Sequence, residues 1–242
     1  MDKKKKVGLT VTGEVFYPCR LFYKIENRKK VNEVFDRLKC IEEDPEGSRW
    51  VWFLKKEAKS INLNKKYSDV PVEVRPLVIG SFVWKDDNNL ILDLRSYQRA
   101  IEAIKFFDKF IPRSAALVTH CASVNRIFSP EESTLSNFDC FFENNPNLIE
   151  IDPEKIEENI RKDLSVFKEQ GSAEDVIDFF ETKENKLKEF EKFPLYFYED
   201  GIKPLDTVFT LRQYTAFEHW KGNTDYTPYD FCKMLATNTG KL

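Results

Sequence analysis

The chain has 242 residues, 41% hydrophobic and 14% aromatic with 21 Phe, which argues against a disordered chain and fits one large domain or two small ones. Its net charge of −3 joins unlike parts: up to Pro130 there are 25 Lys+Arg against 17 Asp+Glu, and from Glu131 onward 13 against 24. The scarcity of glycine, 8 residues with no G-x-G pair, argues against a glycine-rich phosphate loop, and no apolar run approaches the roughly 20 residues of a membrane-spanning helix.

The five cysteines (Cys19, Cys40, Cys121, Cys140, Cys232) form no C-x-x-C pair, and there are 2 histidines, so structural zinc and a disulfide framework are both poorly supported. The lysine-rich start runs into Val7–Thr12, which alternates and is too short and polar for the core of a signal peptide. These features predict a soluble, cytoplasmic protein with reduced thiols, no cofactor and no membrane contact.

In chain order, Val7–Thr12 reads as an extra edge strand and Cys19–Ile25 as the first main strand. Asn27 caps a helix whose apolar positions Val31, Val34, Phe35 and Leu38 follow helical spacing. Asp44-Pro45-Glu46-Gly47 is a turn, and Trp50–Leu54 is a strand. Lys55–Pro76 reads as a long connection, rich in Lys, Asn and Ser. Leu77–Trp84 and Leu90–Leu94 form a hairpin around Lys85-Asp86-Asp87-Asn88-Asn89. Ser96 caps a second helix with Tyr97, Ala100, Ile101, Ile104, Phe107 and Ile111 on one stripe, stopped by Pro112, and Ala115–Val124 is the closing strand. Two β-α-β units in tandem predict an α+β fold: a ferredoxin-like double βαβ, with an antiparallel sheet, two helices and an extra hairpin strand.

After Phe128 the texture changes. Residues 129–150 read as a joint between a basic α+β domain (1–128) and an acidic, all-helical C-terminal part (151–242). Asp152-Pro153 opens one helix, Ser172–Asp175 a second, Leu205 and Val208 mark a third, and Thr227-Pro228 opens the last. Leu195–Ile202 reads as a short extended stretch between them. The helical part is expected either to form its own bundle or to cover one face of the sheet.

The basic half suggests a nucleic-acid surface. Lys24, Arg28, Lys29 and Lys30 cluster where the first strand enters its helix, and Arg49, Lys55 and Lys56 flank the Trp50 strand. Trp50 and Trp52 share one sheet face, so an open face would offer them as stacking platforms for bases within a basic rim. The alternative is that both lie under the helical C-terminal half and the lysines are a solvated rim. A metal-dependent, palm-like phosphoryl-transfer site is a weaker option, with Glu26, Asp86 and Asp87 as ligands. Glu57-Ala58-Lys59 is half of a nuclease-like pattern without its partner Asp. His120 and Cys121 are adjacent on a strand and cannot pair. The acidic half, rich in large aromatics, suits a protein partner or self-association. The sequence therefore points to a non-catalytic protein binding RNA or DNA at its basic part and a protein at its acidic part. A protein-only adaptor or assembly factor is the alternative.

Overall fold

The structure is a computed structural model describing residues 6–46, 49–158, 161–162 and 187–238. Its centre is a sheet of eight strands: β1 (Cys19–Ile25), β2 (Ile41–Glu43), β3 (Trp50–Phe53), β4 (Val78–Trp84), β5 (Asn89–Leu94), β6 (Ala116–Val124), β7 (Ile149–Glu150) and β8 (Phe190–Pro194). Their order is β2-β3-β4-β5-β1-β6-β8-β7, antiparallel throughout except between β7 and β8. The fold is mixed α+β, with a sheet larger than the double βαβ with an extra hairpin strand predicted from the sequence.

The departure lies in the first unit. Helix α1 (Arg28–Arg37), capped by the Asn27 side chain accepting from Lys30 N at 3.0 Å, leads into β2 rather than into the Trp50 strand. Strands β2 and β3 form their own hairpin, and β4 inserts between β3 and β5. Counting reversals across the sheet, β2 runs parallel to β1 and β3 runs against it. The second unit matches its expectation. Strands β5 and β6 lie on either side of β1, both antiparallel to it, joined by α2 (Tyr97–Phe107), whose cap Ser96 accepts from Arg99 N at 3.2 Å.

The C-terminal part is not all-helical, because β8 pairs with β6 inside the sheet. The predicted extended stretch from Leu195 is displaced: the strand ends at Pro194, and Phe197–Asp200 is a short helix, α4. A shorter helix, α3 (Asp139–Phe142), precedes these. Helix α5 (Ile202–Lys221) ends at Gly222, whose φ of 106° suits a residue without Cβ. Helix α6 (Pro228–Asn238) starts with a reciprocal cap between Thr227 and Asp230. The helix predicted from Pro153 is present at 153–158, with Asp152 accepting from Glu154 and Lys155 N. The helix predicted at Ser172–Asp175 lies outside the described residues. The Val7–Thr12 strand does not form; residues 10–13 turn, and Leu9 makes a single bridge to Val15.

Strand alternation sorts the side chains into two faces. One face carries Leu21 and Tyr23 of β1, Leu90, Leu92 and Leu94 of β5, Phe82 of β4 and Trp52 of β3. Helices α1, α2 and α5 cover it with Phe35, Phe107 and Phe209. Its rings pack edge to face or tilted: Phe35–Phe82, Phe82–Phe107 and Trp52–Phe107 centroids are each 4.8 Å apart. Phe209 stacks on Tyr97 at 4.6 Å, and Tyr97 on Tyr17 at 4.9 Å, so residues of the C-terminal part share this core. Gly80 is required there: a Cβ would lie 2.7 Å from a Leu94 methyl and 2.9 Å from the Asp93 carbonyl oxygen.

The opposite face carries Ala122 and Val124 of β6, with Phe22 and Phe190 partly buried beside them. A strap running from Phe128 through α3 covers them with Phe138, Phe141 and Phe142. Among the described residues, no helix is long and apolar enough to cross a membrane.

Candidate nucleic-acid interface

The register of the sheet divides the nine predicted contact residues into three groups. Lys24 lies opposite Asn89, beside the β4–β5 hairpin tip, and α1 begins just beyond β1 at the same end. Arg49 precedes Trp50, which pairs with Phe82, so it belongs to that end too. Lys55 and Lys56 follow Phe53, which pairs with Val78 at the far end of β4. Strand rise puts the two ends of β4 roughly 20 Å apart. The tryptophans form the third group, and both face the helices. Trp52 is fully buried against Phe106 and Phe107, and Trp50 is half-buried with its ring 5.4 Å from Phe35. Burial removes Trp52 as an exposed stacking platform, because helix α2 occupies its ring.

The hairpin-tip end is therefore the coherent part. Arg28, Lys29 and Lys30 occupy the first turn of α1, which contains no acidic residue. The positive end of the helix dipole normally attracts carboxylates there, and each misplaced cation costs about 0.3–1 kcal/mol. Arg28 stacks over Trp84, 4.5 Å from the ring centroid, and pairs with Asp87. Lys24 pairs with Glu26 at 2.9 Å. Lys29 and Lys30 are exposed, and neither has an ion-pair partner among the described residues. Elsewhere, Arg49 binds Asp44 at 2.9 Å, Lys55 pairs with Glu42, and Lys56 is exposed with a φ of 50°, a left-handed conformation.

The three carboxylates considered as metal ligands are engaged separately. Glu26 meets Lys24 and Asp87 meets Arg28, while Asp86 caps the hairpin by accepting from Asn88 N and the Asn89 amide. Those hydrogen bonds, the Asn89 one foremost, hold the Asp86 carboxyl below its usual range. Among the described residues, no three His, Cys, Asp or Glu side chains converge in a metal-binding group. Glu57 and Lys59 sit on a 3-10 turn after β3. Cys121 is buried on the helix side of the sheet, while His120 pairs opposite Phe22.

Sequence reasoning passed over two features of this end. Trp84, half-buried against the core with Arg28 over its ring, is the aromatic residue at this end. On the opposite face, a cavity of about 260 Å³ is lined by Arg20, Phe22, Lys24, Lys85, Phe142 and Glu143, among others. Its floor is a charge hub. Arg20, 1% exposed, binds Asp93 at 2.6 Å, Asp139 at 2.7 Å and Glu143 at 3.1 Å, and Lys85 pairs with Glu143 from the rim. Burial pushes the Asp93 carboxyl up despite Arg20. Burial also opposes charge on Asp139, but Arg20 and Lys85 outweigh it and hold that carboxyl below its usual range. Arg20 near the start of a mostly apolar strand, alternating with Cys19, Leu21 and Tyr23, is the signal that marks it, and the strand's other charge, Lys24, is exposed.

No protein-family model matches this chain, and neither a curated protein nor a solved structure does.

Proposed function

We propose that the chain is a non-catalytic, two-part binding protein that contacts single-stranded RNA or DNA through its basic part, 1–128, and a protein through its acidic part, 151–242. The observation that carries the first contact is the run of cations Arg28-Lys29-Lys30 in the first turn of α1, against the helix dipole, with Lys29 and Lys30 exposed and unpaired among the described residues. An arrangement that disfavours the isolated helix is relieved by a polyanion, whose phosphates meet both the side chains and the positive helix end. Trp84, braced by Arg28, gives the same end an aromatic ring beside which a base can stack. We read the sheet as a ferredoxin-like arrangement built on the β5-α2-β6 unit and enlarged by β4, β2 and the C-terminal strands.

The test is fluorescence anisotropy with a labelled single-stranded RNA and a duplex DNA over a salt series. The wild-type chain binds the single strand more tightly as salt falls. In Lys29→Glu/Lys30→Glu, affinity drops at least tenfold, and the log–log salt slope flattens by about 1.4, the value for two phosphate contacts on a single strand. An unchanged slope in a folded variant, or no binding at low salt, refutes the reading. The protein-only adaptor is the second reading, favoured by an apolar groove beside α5 in the acidic part.

A further inference from the structure

Two apolar features of the surface have no partner among the described residues, and they differ in shape and charge. The first is a knob. Val72 and Val74, 71% and 42% exposed, stand on a 3-10 turn between Pro71 and Pro76. Exposed valines in a loose loop would mean little, but this loop is fastened. The Arg75 guanidinium donates to Val70 O and Ser68 O, each at 2.8 Å, and stacks 4.9 Å from the Tyr67 ring. Lys59 covers the same ring, and Val70 is buried as the anchor of the turn. The valines are thus held out in one conformation, which lowers the ordering cost of docking them.

The second is a groove of about 230 Å³ where the end of β8 meets α4 and the start of α5. Phe193, Leu195, Phe197, Leu205 and Val208 line it, and Tyr196, 51% exposed, stands at its rim. The charges around the two features are opposite. The segment carrying the knob, residues 55–76, has six basic residues against three acidic ones. The groove segment, residues 195–208, has three acidic residues, Glu199, Asp200 and Asp206, against Lys203, and Arg212, which also lines the groove, is neutralised by Glu191 at 3.0 Å. The knob cannot fill the groove of its own chain by local closure. It enters the sheet at β4, four strand positions from β8, a lateral separation of roughly 19 Å.

We infer that the chain associates with copies of itself head to tail, the Val72–Val74 knob of one copy seated in the β8–α5 groove of the next. The occupant is a second copy because the same sequence supplies a rigid apolar projection and an apolar recess with complementary rims. The contact is heterologous, joining two different patches, so a pair of copies keeps one free knob and one free groove between them. This inference is independent of the nucleic-acid reading: the knob lies at the end of β4 away from the hairpin tip.

Sedimentation velocity of the full chain over a concentration series tests it, with Val72→Asp/Val74→Asp as the knob variant and Val208→Lys as the groove variant. The substituted positions are exposed or half-buried, and circular dichroism checks that each variant is folded; Tyr196→Asp replaces Val208→Lys if the latter unfolds. Wild type shows a concentration-dependent rise in mass that weakens with salt. Each variant alone stays monomeric, and mixing the two restores a dimer, because the mixture holds one intact knob and one intact groove. A wild type that is monomeric at every concentration overturns the proposal and leaves the groove to a different protein. So does association that persists in either variant, or a mixture that stays monomeric.

Discussion

The two faces of the sheet are held by different forces. On the helix side, Phe35, Trp52, Phe82 and Phe107 interlock beneath α1 and α2, and α5 adds Phe209. On the strap side, Phe138, Phe141 and Phe142 pack on Ala122 and Val124, but the strap is also tied down by Asp139 and Glu143 reaching the buried Arg20. Apolar contact is indifferent to pH and salt over ordinary ranges. A buried ion hub is not, and its worth depends on every member being present. The comparison teaches that the helix side acts as the rigid platform, while the strap side carries the cavity and the conditional closure.

The sharpest way to break this comparison is at Arg20. Arg20→Ala leaves Asp93 without its counter-ion and Asp139 and Glu143 with Lys85 alone, and is expected to cost about 3–5 kcal/mol in urea unfolding. Trp52→Ala, in the helix-side core, costs a similar amount by cavity formation, so the two separate by their pH response and not by size. A smaller effect sharpens the point. The Asp139 carboxyl titrates below its usual range, so its stabilisation is present above about pH 4 and is lost as pH falls through its folded value. Asp93, pushed up, works in the opposite sense, its contribution fading as pH rises through its raised value. Thermal unfolding of wild type and Asp139→Asn should therefore differ near pH 6 and converge below about pH 4. A gap that persists at low pH means that Asp139 does not act through its charge. The smallest effect lies off both faces. Lys56→Gly relieves a left-handed φ and should raise stability by up to about 1 kcal/mol in the same urea assay.

Local chemistry is legible in the sequence. The caps Asn27, Ser96 and Thr227 and the turn at Asp86–Asn89 each act within a few residues, so the residues beside them reveal them. Strand β2 is hidden because Ile41-Glu42-Glu43 has one apolar residue and no alternation. Without it, the next strand that α1 can reach in the sequence is the one at Trp50. The pairing of Trp50 and Trp52 on one face follows from alternation, but which face meets the helices depends on packing that alternation does not encode. The cluster Arg28-Lys29-Lys30 is plain from charge. The role of Trp84 beneath Arg28 is not, because that contact joins the start of α1 to a hairpin more than fifty residues later.

The place of β8 bears on how the protein is made. The nine-residue β6 ends at Val124, but its outer neighbour is not synthesised until Phe190–Pro194. At ordinary translation speeds that interval is on the order of ten seconds. Throughout it, a nascent chain presents the bare backbone of β6 to any other strand it meets. A ribosome that stalls between the two strands releases a product with an open edge.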